Sequence, residues 1–429
     1  MDSGDTAWML ASSALVLLMA PGLAFFYGGM VRAKSVLNMM MMTFIAMAIV
    51  PVVWFLYGYS LTFDDDAKWG LIGKLGLVGL HGITPGSLTG TIPTYVFVIF
   101  ELTFAIVTVA LISGAVADRM KFSAWALFVP VWLTVVYFPV AHWVFAFDSQ
   151  DTKGGWIANK LGALDFAGGT VVEISSGASA LALALLIGRR VGWKRDPMRP
   201  HNLPAVLLGA GLLWFGWIGF NAGSALGANE LAGLALINTV GAGAAAMLGW
   251  LAVEVIRDKK GTSFGAASGV VAGLVAITPS CGSVSPLGSL AVGLLAGSIC
   301  AFAIGLKYKL GYDDSLDVVG VHLVGGIVGT LLIGLLATGT AIAALGFGRA
   351  GLLYGGGLGQ LARQAVAVVV VLAYAFICTY LIGTVIDKAI GLRVSEEDEV
   401  TGIDQVEHLE TAYDHVGSAG GSHLLTGPH

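Results

Sequence analysis

Apolar runs of about 20 residues recur from one end of this chain almost to the other, and each is long enough to cross a hydrocarbon layer as a helix. That repetition overrides the two or three soluble domains that 429 residues would otherwise suggest. Composition agrees. The chain is 56% apolar and 11% charged, with a mean hydropathy of +0.84, where a soluble domain carries roughly 25% charge. The expected class is an all-α polytopic membrane protein in a lipid bilayer. Its 61 glycines are interleaved with Leu, Val and Ala, which suits closely packed membrane helices rather than a Gly-rich disordered chain. Cys281, Cys300 and Cys378 have no metal-ligand spacing and need no bridge. No charged region with an A-x-A site precedes the first run, so no cleaved leader is expected.

Eleven transmembrane helices are expected, near residues 6–28, 37–60, 93–118, 123–146, 167–188, 203–225, 231–256, 263–281, 286–307, 316–338 and 360–388. Lys and Arg then orient them. One set of loops holds Arg32, Lys34, Arg119, Lys121, the cluster from Arg189 to Arg199, Arg257, Lys259, Lys260, Lys307 and Lys309. The other holds only Lys68, Lys74, Lys153, Lys160, Arg349 and Arg363. The first set is expected in the cytoplasm, with the N-terminus outside and the C-terminus inside, as an odd number of spans requires. Residues 1–388 form the membrane domain. Residues 389–429 form an acidic, polar cytoplasmic tail, expected to be disordered after about residue 415.

Two spans carry an ionisable residue in an apolar setting. Asp165 precedes Glu173 by eight residues in "DFAGGTVVEISSG", and Asp314 precedes His322 by eight in "DSLDVVGVH". Eight residues of helix span about 12 Å, and a carboxylate near each helix start complements the dipole. The two spans lie five apart and run in opposite directions. The spacing therefore predicts an inverted repeat, spans 1–5 against spans 6–10, with halves near 6–188 and 203–340 and the eleventh span outside it. "GLAFFYGG" at the end of span 1 against "WIGFNAGS" at the end of span 6 gives the same registration. Such repeats place a transport site at the midplane. An intramembrane Glu or His is a functional residue by default. The structural alternatives are a protonated Glu bonded to a carbonyl and a His satisfied in a packed core.

The stretches "GDTAWML", "PGLAFFYGGMVRAKSVL", "ALISGAVADRMKFSA", "PHNLP", "GFNAGSA", "ITPSCG", "GVHLVGGIVGT" and "GLRVSEEDEVTGID" run nearly end to end. Together they resemble the family of ammonium transporters, methylammonium permeases and Rhesus proteins, in its bacterial form. The resemblance implies a homotrimer in the cell (inner) membrane, with one narrow ammonium or ammonia pore per subunit. It implies a gate of Phe104 and Phe220, and substrate recruitment at Ser224 with support from Asp165. It further implies a relay through the positions of Glu173 and His322, and pore lining by Trp217, Glu101 and Asp314. The tail resembles a segment that docks a PII-type signal protein.

Three positions depart from that pattern. Glu173 stands where most members have the first pore histidine, Phe145 where the recruitment site usually has Trp, and Glu101 where Gln is expected. No cofactor, metal or nucleic acid is implied. An ammonium sensor acting through a partner is the alternative to a transporter. An enzyme is disfavoured, since "GTVVEISSG" does not match a nucleophile elbow and no nucleotide loop appears.

Overall fold

The computed structural model describes residues 1–150 and 152–413. Among these, ten helices are long and apolar enough to cross a membrane. In chain order they are α1 (Ser3–Met30), α2 (Ala33–Phe63), α3 (Thr94–Val116), α4 (Phe122–Phe145), α5 (Gly169–Ile187), α6 (Leu203–Gly223) and α7 (Glu230–Asp258), then α9 (Pro286–Leu310), α10 (Val319–Leu336) and α11 (Gly359–Ile390). Between α7 and α9 lies α8, Ser263–Ile277, an apolar helix of 15 residues. It takes the place of the eighth expected span but stops short of residue 281. Pro279 offers no N–H to continue the helix, and residues 278–283 fold into turns instead. One two-stranded hairpin, Leu88–Thr89 with Ile92–Pro93, sits in the loop before α3 and is a small addition to the expected all-α fold.

Small residues set the helix spacing. α1 packs along α6, where a Cβ on Gly209 would lie 2.3 Å from the Phe26 backbone nitrogen. The two helices are antiparallel, and Trp8 near the start of α1 donates to the Ala222 carbonyl at the end of α6 over 3.3 Å. α11 packs against α5 and α10, one helix from each predicted half. The outward faces of α7 and α9 expose the apolar side chains Leu248, Ile256, Leu287 and Phe302.

The basic loops gather on one end of the bundle. There Asp118 Oδ2 lies 3.2 Å from both Arg32 and Arg190, and Arg190 also pairs with Asp313 at 2.9 Å. The tail joins this network, with Glu399 Oε1 3.6 Å from Arg32. Glu399 pairs with Arg393 at 2.6 Å and accepts from the Val191 N–H. Asp404 accepts the N–H groups of Leu37 and Asn38 at 3.0 and 2.8 Å, and Lys34 donates to the Val400 carbonyl. Its acidic residues fill unsatisfied backbone donors at helix starts. The disorder expected after residue 415 lies outside the described residues.

Candidate functional site

α5 and α10 begin in the same unusual way. Each is preceded by an aspartate that reaches over a turn to the exposed N–H groups of the helix start. Asp165 accepts from Gly168, Gly169 and Thr170 N–H at 2.8, 2.6 and 2.7 Å, and from the Thr170 hydroxyl at 2.5 Å. Asp314 accepts from Val318 and Val319 N–H at 3.1 and 2.7 Å. Three residues after each aspartate the chain is left-handed, at Gly168 (φ 119°) and Asp317 (φ 63°). Each helix then opens with π turns, Gly169–Ile174 and Val319–Leu323, before becoming α-helical. The continuous α-helix expected from each aspartate is therefore replaced by a turn and a widened first stretch. The cause is the carboxylate, which claims the first donors. Burial pushes the Asp165 carboxyl up, against its four hydrogen bonds, and pushes that of Asp314 up to about 6.

The π turns carry the two ionisable residues. Glu173 and His322 are 0% and 3% exposed, and Glu173 Oε2 lies 2.7 Å from His322 Nδ1. Glu173 Oε1 has no hydrogen-bond partner among the described residues. Four residues after each ionisable group comes a glycine. A Cβ on Gly177 would lie 2.5 Å from the Leu323 backbone nitrogen, and one on Gly326 would lie 2.9 Å from Glu173 Cβ. Each helix thus needs the other's glycine for the pair to meet.

On the side of Asp165 lies a cavity of about 430 Å³. Phe104 from α3, Phe145 from the end of α4, Ser224 just after α6, Glu101 and Asp165 all line it. The rings of Phe104 and Phe220 stack with centroids 4.2 Å apart and an interplanar angle of 23°. Phe145 meets Phe104 edge-on, 6.5 Å between centroids. The Ser224 hydroxyl donates to the Phe220 carbonyl over 2.8 Å, which leaves its lone pairs free to accept. Trp217, one turn before Phe220, donates to Thr278 over 2.7 Å and does not line this cavity.

On the opposite side, His322 borders a narrow space of about 10 Å³ together with Tyr27, Leu316 and Asp317. Leu316, Asp317 and Met30 also line a larger inner cavity of about 450 Å³. Asp314 borders neither space. Its oxygens are committed to the helix start, and Asp317 takes the lining position expected of it. The sequence reading also missed Tyr59, Phe63, Asp64 and Phe97 in the outer wall. "FDDDAKWG" reads only as a polar loop, so it held no signal for this. The paired glycines were findable, since "EISSG" and "HLVGG" share the offset of four.

The chain matches the description "Ammonium Transporter Family" over residues 7–413. The ammonium transporter of Mycobacterium tuberculosis strain H37Rv is 59% identical over 441 residues, covering 98% of this chain and 92% of its own. That of Bacillus subtilis strain 168 is 46% identical, covering 96% and 99%. Among solved structures, Saccharomyces cerevisiae Mep2 superposes with a TM-score of 0.84 at 32% identity, over 92% of this chain and 91% of that one. A sensor Amt protein gives 0.86 at 29% identity, over 94% and 98%. Matched along nearly its whole length by transporters of that kind, this multi-pass membrane protein belongs to the Ammonium Transporter Family.

Proposed function

We propose that the protein carries ammonium across the cell membrane, as a charge, by moving ammonia and its proton separately past the Glu173–His322 pair. The observation that carries this is the buried 2.7 Å contact between the two groups. It lies two turns in from the outer-cavity aspartate on one helix and two turns in from the opposite side on the other. Moving an isolated ammonium ion into an apolar interior costs tens of kcal/mol in the idealised limit, so the pore must pair the ion or take its proton.

Ser224 accepts a hydrogen bond from ammonium in the outer cavity, and Phe145 offers a ring face worth about 0.5–2 kcal/mol to a cation. Asp165 supports this end without touching substrate, since its oxygens are already used. The stacked Phe104 and Phe220 form the gate, and Trp217 lines the path beyond it. Ammonium gives one proton to the Glu173–His322 pair and continues as ammonia. The pair shares that proton across its short contact and titrates as a unit. It then releases the proton inward, where His322 borders the inner space. One positive charge crosses per ammonia. The membrane domain covers residues 1–388. The basic end with the docked tail faces the cytoplasm, the assembly is a homotrimer, and a PII-type signal protein is the partner of the tail face.

Proteoliposomes given an ammonium pulse test this reading. Wild type should give an ammonium-dependent current, and Glu173→Gln should reduce it roughly 100-fold, the scale of a lost positioned proton-transfer group. A wild-type current in Glu173→Gln would rule the relay out. A second reading, an ammonium sensor with little flux, is favoured by the structural likeness to a sensor Amt protein. It predicts ammonium binding with no current in wild type.

A further inference from the structure

Three carboxylates line the outer cavity: Asp64, Glu101 and Asp165. Two are already committed to the protein. Asp165 caps α5. Asp64 accepts from the Gly76 and Asp65 N–H groups at 2.6 and 2.8 Å and from the Ser60 hydroxyl at 3.4 Å. Glu101 differs. It is only 9% exposed, yet among the described residues none donates a hydrogen bond to it. Lys153, the cation in the same wall, has its own partner in Asp148 at 3.8 Å. Around Glu101 the wall is aromatic. Phe104 lies one turn along the same helix, and Tyr59, Phe63 and Phe97 form an edge-to-face cluster beside it. A buried carboxylate without a donor is costly. A carboxylate ringed by aromatic faces is what a small organic or inorganic ammonium cation pairs with best.

We propose that Glu101 is the anionic anchor of the outer cavity, pairing directly with ammonium or an N-alkylated ammonium ion and setting the affinity for it. The cation donates N–H to the carboxylate while its remaining surface meets the rings and the Ser224 oxygen. Selectivity then favours cations with N–H donors and apolar surface over hydrated metal ions. A cavity of about 430 Å³ leaves room for methyl substituents.

The inference rests on the transport reading, and its test separates the two. Current from proteoliposomes is measured against ammonium chloride concentration for wild type, Glu101→Gln and Glu101→Asp. Glu101→Gln should raise the half-saturating concentration about 10- to 100-fold, the range for a lost charge-assisted hydrogen bond. Its maximal current should stay within about three-fold, the pattern of lost binding rather than lost turnover. Glu101→Asp should stay within a few-fold of wild type. Equal half-saturation in wild type and Glu101→Gln overturns the proposal. Absence of current in wild type would sink the transport reading alone. Calorimetry of methylammonium binding to detergent-solubilised wild type and Glu101→Gln then decides the anchor, and equal affinities overturn it.

Discussion

The starts of α5 and α10 are the same piece of architecture used twice, with a different ionisable group in each. Aspartate, left-handed residue, ionisable group and glycine fall at the same offsets in both, and each helix opens with π turns. The differences lie in what each framework holds. Asp165 gathers four hydrogen bonds and borders the outer cavity, whereas Asp314 gathers two and borders neither space on its own side. Glu sits at the eighth position of one and His at the eighth of the other. The framework therefore depends on backbone donors and close approach, and the identity of the ionisable group is free to vary within it. A Glu opposite a His can share a proton that two neutral imidazoles would pass by tautomer exchange.

The largest effect should come from changing that variable position. Glu173→His makes the two halves alike. If the framework tolerates either group, its ammonium current should exceed that of Glu173→Gln by at least about ten-fold, a fraction of what a positioned proton-transfer group contributes. A current equal to that of Glu173→Gln would mean the carboxylate itself is required.

Next come the glycines. Gly177→Ala drives a methyl group against the Leu323 backbone, and Gly326→Ala drives one against the Glu173 side chain. Overpacking of this kind costs about 1–3 kcal/mol. Thermal unfolding in detergent should show the larger loss for Gly177→Ala, because backbone yields less than a side chain. The reverse order would break the picture of a rigid crossing.

The caps follow. Asp165→Asn retains one acceptor oxygen for donors that now number four, and Asp314→Asn retains one for two. Both should lower the unfolding temperature, Asp165→Asn by more, with a difference of about 1 kcal/mol per hydrogen bond lost. The smallest expected effect is in the outer cavity. Phe145→Trp should lower the half-saturating ammonium concentration about two- to five-fold, since Trp is the better cation–π partner. An unchanged value would place Phe145 outside the recruitment site.

The tail and the membrane helices differ in how legible they were. The spans could be read because lipid leaves a helix no freedom: its length and apolarity are written in one continuous run. Their boundaries held within a few residues, except where Pro279 ended α8 early. The tail reads as polar and acidic, which is compatible with solvent or with docking. Its pairing with Arg32 and the N–H groups of α2 depends on which loops share an end of the bundle.

The functional centre divides in the same way. Spacing along the chain by itself put Glu173 and His322 each eight residues after an aspartate on separate helices, because an offset is a one-dimensional quantity. Only the tertiary structure decided that the two side chains touch, that Asp165 and Asp314 accept from backbone N–H groups, and that Glu101 lines an aromatic cavity with no hydrogen-bond donor among the described residues. Those facts follow from which residues of distant segments converge. Convergence is set by side-chain volume and unsatisfied donors across the packed bundle, which no single stretch of sequence contains.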